Sequence, residues 1–549
     1  MQDIFKFVSL GGLDENGKNM YCFDINNDIY IIDCGLKYPE SQNFGIDIEI
    51  PSFDYLVNNK DRVKGIFITH AHPDTMGAIA YLLNEINVPI YATQLSAWII
   101  EDTLKKANIK NYTIKRVKEN SIIKMDNELK IHTFKTTHSI IQSIGIAFEL
   151  EQGYVVFTSD YIIDFSAKPQ FRSDISTLSK IGKKDVLALL TESVGASRPG
   201  FTAPNHRFKS FVEPIIAQAK GRIIVTAYTH SLFNIQEIGY IAAKYNYRIL
   251  IYNRELADLV HKHHKLGYDI FDPSIMAKPS DIDKGDVMIF MTGDGKDLFE
   301  NLSKIAEKAD EGIKPTENDT FIIASPAIPG VEHVSIKAID DISRINSDVY
   351  ILSSKKVTSM HASQEDLKMM ISILNPKYYI PVKGEYLQLM DNAELALSMD
   401  IPKENVSVLE NGEMITFEDG ILKEEKEFIS TGSVLIDGSS TSDTQVVVLK
   451  DRETLSSEGT VIIAIGLDRE SKEQVMTMDI QTRGFIYIKD SEYIIEGIKN
   501  IVNRTLEQAD LDNDLGYNDC KSAIRSNVQS YIKTETGKDP IILSMILTV

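Results

Sequence analysis

The sequence predicts an α/β protein of several domains, because short apolar runs alternate with amphipathic helical segments over its 549 residues. Between about 206 and 350 the runs "GRIIVTAYT", "NIQEIGYIAAKYN" and "YRILIYN" alternate strand, helix and strand, which indicates a parallel α/β unit. The last hundred residues, which end in "PIILSMILTV", predict a small separate α/β domain.

Four apolar runs are expected to be strands that deliver polar side chains to a site. These are residues 28–35, 63–70, 153–160 and 377–386, and each ends in polar residues. A helix is predicted at roughly 77–86. The charged stretch 418–430 is expected to be an irregular linker after its first few residues.

Composition narrows the class of protein. Apolar residues make up 43% and charged residues 25%, an ordinary globular balance. Three scattered cysteines form neither a disulfide framework nor a cysteine zinc site, and no signal peptide or membrane-length apolar run is evident, so a cytoplasmic protein is predicted. A net charge of −21 repels nucleic acid on average, so a polyanionic substrate requires a local basic channel.

The segment "THAHPDTMGA" at 69–78 begins like a binuclear metal site. His70, His72 and Asp74 fall at every second position, so in an extended loop they point to the same side and can chelate a divalent ion. The pattern H-x-H-x-D-H would continue with a histidine, and this chain has Thr75 there.

Two later residues extend the series. His138 follows the apolar "LKIHTF" in "TTHS", and Asp160 ends a predicted strand in "TSD". Taken alone, His138 is equally explained as a core histidine and Asp160 as a helix cap. In combination with "HAHPD" they favour a metal site.

At this point the sequence resembles a known family. "HAHPD", "TTHS" and "TSD" are similar to successive motifs of the metallo-β-lactamase fold. Further segments narrow the resemblance to the β-CASP nucleases and to bacterial ribonuclease J, and within it to a second paralogue with degenerate motifs. These segments are "LGGLDENGKNMY", "IDCGLKYPE", "GRIIV", "PAIPG", "HASQEDLK", "PKYYIPVKGEY", "GSVLIDG" and "RGFIYIK".

The resemblance implies a domain plan. A metallo-β-lactamase αββα sandwich would be built from residues 1–203 and 355–425, with an α/β β-CASP domain at 204–354 inserted into it. A linker at 426–448 and a C-terminal α/β domain at 449–549 would follow. RNA would pass between the first two domains.

The resemblance also implies an activity. Family members cut RNA from the 5′ end as exonucleases and internally as endonucleases, in rRNA processing and mRNA decay. They use two metal ions, usually zinc, with manganese or magnesium supporting activity. They are cytoplasmic and form dimers or tetramers.

The ligand set implied by the family is incomplete in this chain. The ligands of the first ion are all present, at His70, His72, His138 and Asp160. For the second ion Asp74 and Asp160 remain, but Thr75 and Lys383 stand where the family has histidines. The second site is therefore expected to be empty or replaced by Lys383, whose ammonium has no lone pair and would neutralise the two carboxylates. The alternative is that Lys383 points to solvent.

Other family positions carry expected roles and departures. Asp74, Glu192 and His361 are the catalytic candidates, with Glu192 in place of an aspartate, and His361 with Ser363 is expected to grip an RNA phosphate. Met360 replaces a glycine and is expected to crowd that pocket. Phe233 and Asn234 replace a histidine and a basic residue, and Asp294 adds an acid, which removes positive charge from an RNA groove.

Two functions remain open from the sequence. The chain is either a weak or conditional ribonuclease with one metal, zinc or manganese, or a subunit without catalysis that binds an active ribonuclease J paralogue and helps to hold RNA. The losses affect one metal position and the RNA-contacting loop, whereas the fold-defining segments are intact. This pattern favours the subunit role.

Overall fold

The computed structural model of the chain describes residues 3–39, 46–293, 295–327, 331–345, 347–353, 359–437, 445–486, 492–509, 511 and 514–548. The chain forms two compact units. The first comprises Met1–Glu40 with Asp47–Ile436, and the second comprises Ser41–Ile46 with Asp437–Val549. Among the described residues no helix is long and apolar enough to span a membrane.

Two sheets form the centre of the first unit. A nine-stranded sheet has the order β20-β19-β1-β2-β3-β5-β6-β7, with β21 also paired to β19. Its strands are β1 (Ile4–Gly11), β2 (Met20–Ile25), β3 (Asp28–Ile32), β5 (Val63–Phe67), β6 (Ile90–Ala92), β7 (Ile114–Arg116), β19 (Glu413–Glu418), β20 (Ile421–Leu422) and β21 (Glu427–Phe428). A six-stranded sheet has the order β18-β12-β11-β10-β9-β8. Its strands are β8 (Ile122–Lys124), β9 (Lys130–Lys135), β10 (Ile144–Leu150), β11 (Gly153–Phe157), β12 (Val186–Glu192) and β18 (Tyr378–Val382).

These two sheets pack face to face through aromatic side chains. Phe23 of β2 stacks on Phe148 of β10 with ring centroids 5.0 Å apart, and both rings are fully buried. Helices cover the two outer faces, so the arrangement is an αββα sandwich, as predicted. The helices are α1 (Asp54–Asn58), α2 (Pro73–Met76), α3 (Ile79–Glu85), α4 (Gln94–Lys106), α5 (Ile175–Gly182), α11 (Gln364–Leu374) and α12 (Tyr386–Ser398).

The chain segment that separates the two parts of the sandwich in the sequence forms a third sheet. Its order is β14-β15-β13-β16-β17 and all four pairings are parallel, which confirms the parallel α/β unit predicted for this stretch. The strands are β13 (Ile223–Ala227), β14 (Arg248–Ile251), β15 (Val287–Thr292), β16 (Thr320–Ile323) and β17 (Asp348–Ile351). The accompanying helices are α6 (Lys209–Gln218), α7 (Leu232–Lys244), α8 (Arg254–Lys265), α9 (Lys296–Ala306) and α10 (Glu332–Ser343).

The predicted irregular stretch after residue 418 is more ordered than its composition indicated. Strands β20 and β21 both pair with β19, and Lys6 Nζ lies 2.6 Å from Glu427 Oε1. Further along, β22 (Ser433–Ile436) pairs with β4 (Ile48–Pro51). The expectation of irregular structure was wrong here because sheet edges supply backbone hydrogen bonds that outweigh a charged composition.

The second unit is a small α/β domain, as the sequence predicted. Its sheet has the order β24-β23-β25, formed by β23 (Thr460–Leu467), β24 (Gln474–Arg483) and β25 (Ile541–Thr548). The helices are α13 (Gln445–Ser457), α14 (Glu492–Glu507) and α15 (Asp514–Thr536). Alternate residues of β23, such as Val461, Ile463 and Ile465, are buried in the core of this unit.

Candidate metal centre

The candidate site lies where several strands of the sandwich end. Strands β11, β12 and β18 are neighbours and run parallel, so their carboxyl ends meet at one edge. Asp160 follows β11, Glu192 ends β12 and Lys383 follows β18. The loop that follows β5 in the other sheet brings its histidines to the same place.

Three imidazoles form what we call the histidine cluster, His70, His72 and His138. Their ring centroids are 4.6 to 4.8 Å apart. The histidine nitrogens and a carboxylate oxygen of Asp160 all lie within 4.8 Å of one another. The structure thus brings together the four residues that the sequence proposed as ligands of the first ion.

Hydrogen bonds fix the orientation of two of these rings. His138 Nδ1 donates to the carbonyl oxygen of Met360 at 3.0 Å, which leaves a lone pair on Nε2. That nitrogen lies 3.3 Å from His72 Nδ1, while His72 Nε2 is 3.1 Å from Ser139 Oγ. The lone pair of His138 Nε2 therefore faces the His72 ring.

His70 completes the cluster from the buried side. Its Nδ1 lies 3.0 Å from Thr69 Oγ1, and Thr69 is held by Asp33 through its backbone N–H at 2.9 Å. His70 Nε2 and Asp160 Oδ1 are buried and have no hydrogen-bond partner among the described residues. A buried nitrogen without a partner is costly unless something coordinates it.

Burial also sets the charge of the cluster. Desolvation lowers the pKa of His138 to about 4 and holds the pKa values of His70 and His72 well below their usual range. The imidazoles are therefore neutral at pH 7, which is the form that binds metals. Three neutral imidazoles and one carboxylate fit one divalent ion such as zinc, and one of the nitrogens makes no hydrogen bond within the described ranges.

At the position expected for a second ion, Lys383 contacts Asp74 and Asp160. We call these three residues the lysine bridge. The Lys383 ammonium lies 2.9 Å from Asp74 Oδ2 and 2.5 Å from Asp160 Oδ2. Lys383 is 5% exposed, so the ammonium does not point to solvent. Its backbone φ is 53°, a left-handed conformation that is uncommon for lysine.

The charges of the lysine bridge stabilise one another. Burial, the largest single influence, would raise the pKa of Asp160, but the Lys383 ammonium together with the charge of His361 holds that pKa well below its usual range. The same balance lowers the pKa of Asp74. Burial would lower the pKa of Lys383, but the two carboxylates hold it well above the usual value, so all three groups are charged.

Thr75 and Asn19 complete the surroundings of the bridge. The Thr75 hydroxyl donates to the carbonyl oxygens of His70 and His72, both at 2.9 Å, so its oxygen is engaged with the backbone. Asn19 Nδ2 donates to Asp74 Oδ2 at 3.0 Å. Asp74 therefore accepts hydrogen bonds from both Asn19 and Lys383.

A second pair of titratable groups flanks Asp160. His361 Nδ1 lies 2.6 Å from Glu192 Oε2, and Glu192 Oε1 accepts from the backbone N–H of Tyr161 at 2.8 Å. Burial, the largest single influence, would lower the pKa of His361, but the carboxylates of Glu192 and Asp160 together raise that pKa. His361 therefore carries a proton over a wider pH range than a free histidine.

Ser363 has a structural role beside His361. It begins α11 with a capping box to Asp366, and its hydroxyl is 2.7 Å from Thr202 Oγ1. Thr202 Oγ1 in turn donates to the carbonyl oxygen of His361 at 2.7 Å. Ser363 is 1% exposed, so its hydroxyl is engaged within the fold.

Three of the predicted departures from the family, Met360, Phe233 and Asn234, are buried. Met360 is 5% exposed and packs into the core, while its carbonyl orients His138. Phe233 is buried against Phe171 with ring centroids 5.1 Å apart, and Asn234 is also buried. Asp294 lies outside the described residues.

Four protein-family models match successive parts of the chain. The family model of the metallo-beta-lactamase superfamily matches residues 13–137, and that of the ribonuclease J beta-CASP domain matches 220–342. A Zn-dependent metallo-hydrolase RNA specificity domain matches 354–406, and the ribonuclease J C-terminal domain matches 447–549.

Relatives that align over nearly the whole chain point to the same family as the family models. The chain is 32% identical to ribonuclease J2 of Bacillus subtilis over 99% of this chain and 98% of that protein. The chain belongs to the ribonuclease J family. It is also 30% identical to ribonuclease J 2 of Staphylococcus aureus and 29% identical to that of Staphylococcus epidermidis, each over 98% of both chains.

A solved structure shows the fold alone. The crystal structure of a protein of unknown function from Enterococcus faecalis covers 75% of this chain and 100% of its own, with a TM-score of 0.53 and 14% identity. Membership of the ribonuclease J family makes RNA processing the function of the chain, and the matched RNA specificity model describes a Zn-dependent metallo-hydrolase family. The matched RNA specificity domain indicates that RNA is bound.

Several contributors to the site carried no signal in the sequence. Ser139, Asn19 and Thr69 orient the groups that were predicted, yet each is a common residue with no spacing rule. Asn19 lies within "GKNMY", a segment that carries the family resemblance, so only alignment with that motif could have singled it out.

Proposed function

We propose that this ribonuclease J family protein holds one divalent metal at the histidine cluster and uses the Lys383 ammonium in place of a second. Its own nuclease activity is then weak or lost, and it acts in RNA processing with an active ribonuclease J paralogue. The observation that carries the proposal is the position of Lys383 Nζ within hydrogen-bond distance of both Asp74 and Asp160.

The physical reason is that an ammonium replaces the charge of an ion but not its chemistry. Like a metal ion, it neutralises two carboxylates that would otherwise repel each other. It has no vacant coordination position, so it cannot coordinate the oxygen of a water and lower the pKa of that water as a metal ion does. Two-metal hydrolysis depends on that step.

The residues of the first position have separate tasks in this proposal. His70, His72, His138 and Asp160 would hold the ion, which when bound polarises a phosphoryl oxygen. Glu192 keeps His361 protonated, which suits a group that donates to a phosphate or to a leaving oxygen.

Asp74 is the weakest of the catalytic candidates under this proposal. Its carboxylate accepts from Lys383 and Asn19, and its lowered pKa makes it a poor general base. For RNA phosphate binding, His361 is the better candidate, since its side chain is 20% exposed, whereas Ser363 is buried at a helix cap.

An exposed apolar face of the second unit supports the proposed partner. Leu543, Met545 and Leu547 of β25 are 45 to 56% exposed and alternate with residues that pack into the core. Met476 on β24 lies in the same row as Leu547, with Gly466 between them. A contiguous apolar face of this kind is typical of a protein–protein interface. A homodimer or tetramer of the chain itself would use the same face.

Single-turnover cleavage of a 5′-monophosphorylated RNA tests the catalytic part. The purified chain is assayed with manganese, and its metal content is quantified on the same sample. The proposal expects at most one ion per chain and a rate far below that of a paralogue with both histidines in place. Two ions per chain with rapid cleavage would overturn it.

Assembly is tested by mixing the chain with such a paralogue and measuring the mass of the complex. The wild type is expected to form a hetero-oligomer, and the double variant Leu543→Glu with Leu547→Glu to remain unassembled. Val448→Glu provides a control, because Val448 is also exposed but belongs to α13. Equal assembly of all three proteins would remove support for this face.

A second function is favoured by the histidine cluster itself. His70 Nε2 makes no hydrogen bond among the described residues, so the first position is equipped for a metal and a chain with one ion could cut RNA slowly. Cleavage by the wild type that is abolished by His72→Ala would establish a single-metal or manganese-dependent exonuclease and endonuclease. In that outcome the paralogue is not required for activity.

A further inference from the structure

A basic surface forms at the side of the sandwich where both of its sheets end. Residues 103–124 contain seven basic residues and one acidic residue, in a chain whose net charge is −21. We call the seven basic residues the basic edge, and all of them are exposed. They are Lys105, Lys106, Lys110, Lys115, Arg116, Lys118 and Lys124.

Three elements bring the basic edge together. Strand β7 is the last strand of the nine-stranded sheet, and β8 is the last strand of the six-stranded sheet. Val117, after β7, and Ile123, in β8, pack against one shared core. Arg116 contacts Glu101 of α4, so the end of this helix, with its two lysines, lies beside β7. Strand β8 is five strands from β18, about 24 Å at the usual spacing, so the basic edge is separate from the lysine bridge.

Most of these cations have no carboxylate partner. Five of the seven make no ion pair within 4.0 Å in the ranges that the structure describes, and these are Lys105, Lys106, Lys110, Lys118 and Lys124. Glu119, the one acidic residue of the segment, lies 3.5 Å from Lys135 of β9, which is outside the segment. Unpaired cations on one surface of an acidic protein create a local positive potential.

Two structural reasons explain only part of this charge. Lysine and arginine on the edge strands β7 and β8 prevent pairing with another chain. The two lysines at the end of α4 suit the helix dipole. Neither reason covers Lys110 and Lys118, which lie in loops on either side of β7. The surface therefore carries more positive charge than the fold requires.

The uncharged residues of the surface indicate which polyanion it suits. Tyr112 is the only aromatic residue between 103 and 124, and it is half-buried against the core, so no free ring is available to stack a base. Single-stranded RNA depends on such stacking, whereas a duplex keeps its bases stacked inside and presents phosphates. Ile122 is the only large apolar side chain that is exposed in this fully described segment, too little for the apolar centre of a protein interface.

We propose that the basic edge binds the phosphate backbone of double-stranded RNA. Lysine ammonium groups act as point charges, so the contact depends on the shape and charge of the duplex and not on its sequence. It would hold a stem of an RNA that is being processed, on a surface separate from the metal centre. The proposal goes beyond the function proposed above and depends neither on a metal nor on a paralogue.

Binding of a blunt-ended RNA duplex to the full-length chain tests the proposal. A duplex of about 16 base pairs with 5′-hydroxyl ends is titrated in EDTA at several salt concentrations. The double variant Lys110→Gln with Lys118→Gln is expected to bind about tenfold more weakly at about 0.1 M salt. The slope of log affinity against log salt should be smaller by about 2, because two phosphate contacts are lost. Charge reversal, Lys110→Glu with Lys118→Glu, should weaken binding further.

The double variant Lys220→Gln with Lys403→Gln is the matched control. Lys220 precedes β13 and Lys403 follows α12, and both are exposed without an ion pair among the described residues. The change in net charge is the same, so duplex affinity and salt slope are expected to equal those of the wild type. A single-stranded RNA of the same length is expected to bind both glutamine double variants equally.

Polyglutamate as a competitor distinguishes a duplex from an acidic protein. The proposal is supported if the duplex loses affinity only in the variant at Lys110 and Lys118 and polyglutamate displaces it poorly. It is overturned if polyglutamate displaces the duplex at a similar concentration of negative charge, since an acidic protein would then fit equally well. It is also overturned if the two glutamine double variants bind the duplex with the same affinity and salt slope.

Discussion

The histidine cluster and the lysine bridge adjoin each other and share Asp160, yet they solve the problem of buried polar groups in opposite ways. The cluster keeps its three imidazoles neutral, and His70 Nε2 makes no hydrogen bond among the described residues. The bridge keeps three groups charged and satisfies the carboxylates with an ammonium.

The difference indicates what each region can still do. Neutral imidazoles with available lone pairs gain from a metal, since metal binding supplies the missing partner. A charged triad is already balanced, so a metal can enter it only by displacing Lys383, which would leave a buried ammonium without its partners. Under the function proposed above, one position therefore attracts an ion and the other excludes it.

Removal of the ammonium should have the largest effect on stability. Lys383→Met leaves Asp74 and Asp160 as neighbouring carboxylates without a cation, so the free energy of unfolding should fall by about 3–5 kcal/mol. Urea denaturation of the metal-free protein at pH 7 measures it. Manganese should restore part of the loss, since a second ion can then enter.

Lys262→Met is the control for this variant. Lys262 Nζ lies 2.6 Å from Asp102 Oδ2 and also contacts Asp258, but both carboxylates are more than half exposed. Removal of this cation should therefore lower the free energy of unfolding by at most about 1 kcal/mol. Similar losses in the two variants would contradict the account of the lysine bridge as a buried, mutually dependent triad.

Restoration of the missing imidazoles should convert the bridge into a second metal position. The double variant Thr75→His with Lys383→His is expected to bind about one additional ion per chain and to cleave RNA about 100-fold faster, because a second ion stabilises charge on the phosphoryl group. Metal analysis and single-turnover cleavage measure both effects. The single variant Lys383→His should have a metal content and a cleavage rate between those of the wild type and the double variant. Unchanged metal content would mean that the loss extends beyond two ligands.

His263, a buried histidine outside the site, shows how a neutral imidazole without a metal makes stability depend on pH. Burial lowers the pKa of His263 to about 4, and its Nδ1 donates to the carbonyl oxygen of Leu259. Between about pH 6.5 and pH 4 this histidine is protonated in the unfolded chain but neutral in the folded chain, so the free energy of unfolding decreases as pH falls. Between pH 7 and pH 5 this contribution is about 2 kcal/mol.

Urea denaturation of His263→Leu at several pH values tests this contribution. The variant should lose that part of the pH dependence, and added metal should leave the difference between wild type and variant unchanged. Bound metal should instead steepen the acid sensitivity of the histidine cluster, because it keeps those imidazoles unprotonated in the folded state while the unfolded chain takes up protons. A pH profile of His263→Leu that parallels the wild type would contradict the assignment of a neutral buried His263.

The smallest expected effect concerns a residue that orients the cluster. Ser139→Ala removes the hydroxyl 3.1 Å from His72 Nε2, so metal affinity should fall about tenfold, the lower end of the range for groups that orient a ligand. Competition with a chelator measures it. Ser143→Ala is the control, because Ser143 is buried nearby but donates to the carbonyl oxygen of Ile140. Equal affinities in both variants would remove the role of Ser139.

Much of the fold followed from local pattern. Apolar runs predicted β3, β5, β11 and β18, because a strand in this sandwich is buried on at least one face. The helix predicted at 77–86 is α3 (Ile79–Glu85). The stretch after residue 418 was predicted less well, since its short strands depend on a distant edge of the sheet rather than on their own composition.

The sequence by itself determined the inventory of the site: His70, His72 and Asp74 in one loop, and His138, Asp160 and Lys383 far apart along the chain. Only the tertiary structure decided which groups meet. The nitrogen of Lys383 and the carboxylate of Asp160 are 223 positions apart and lie 2.5 Å from each other. The reason is that parallel strands bring their carboxyl ends to one edge, and burial there makes each charge depend on its neighbour.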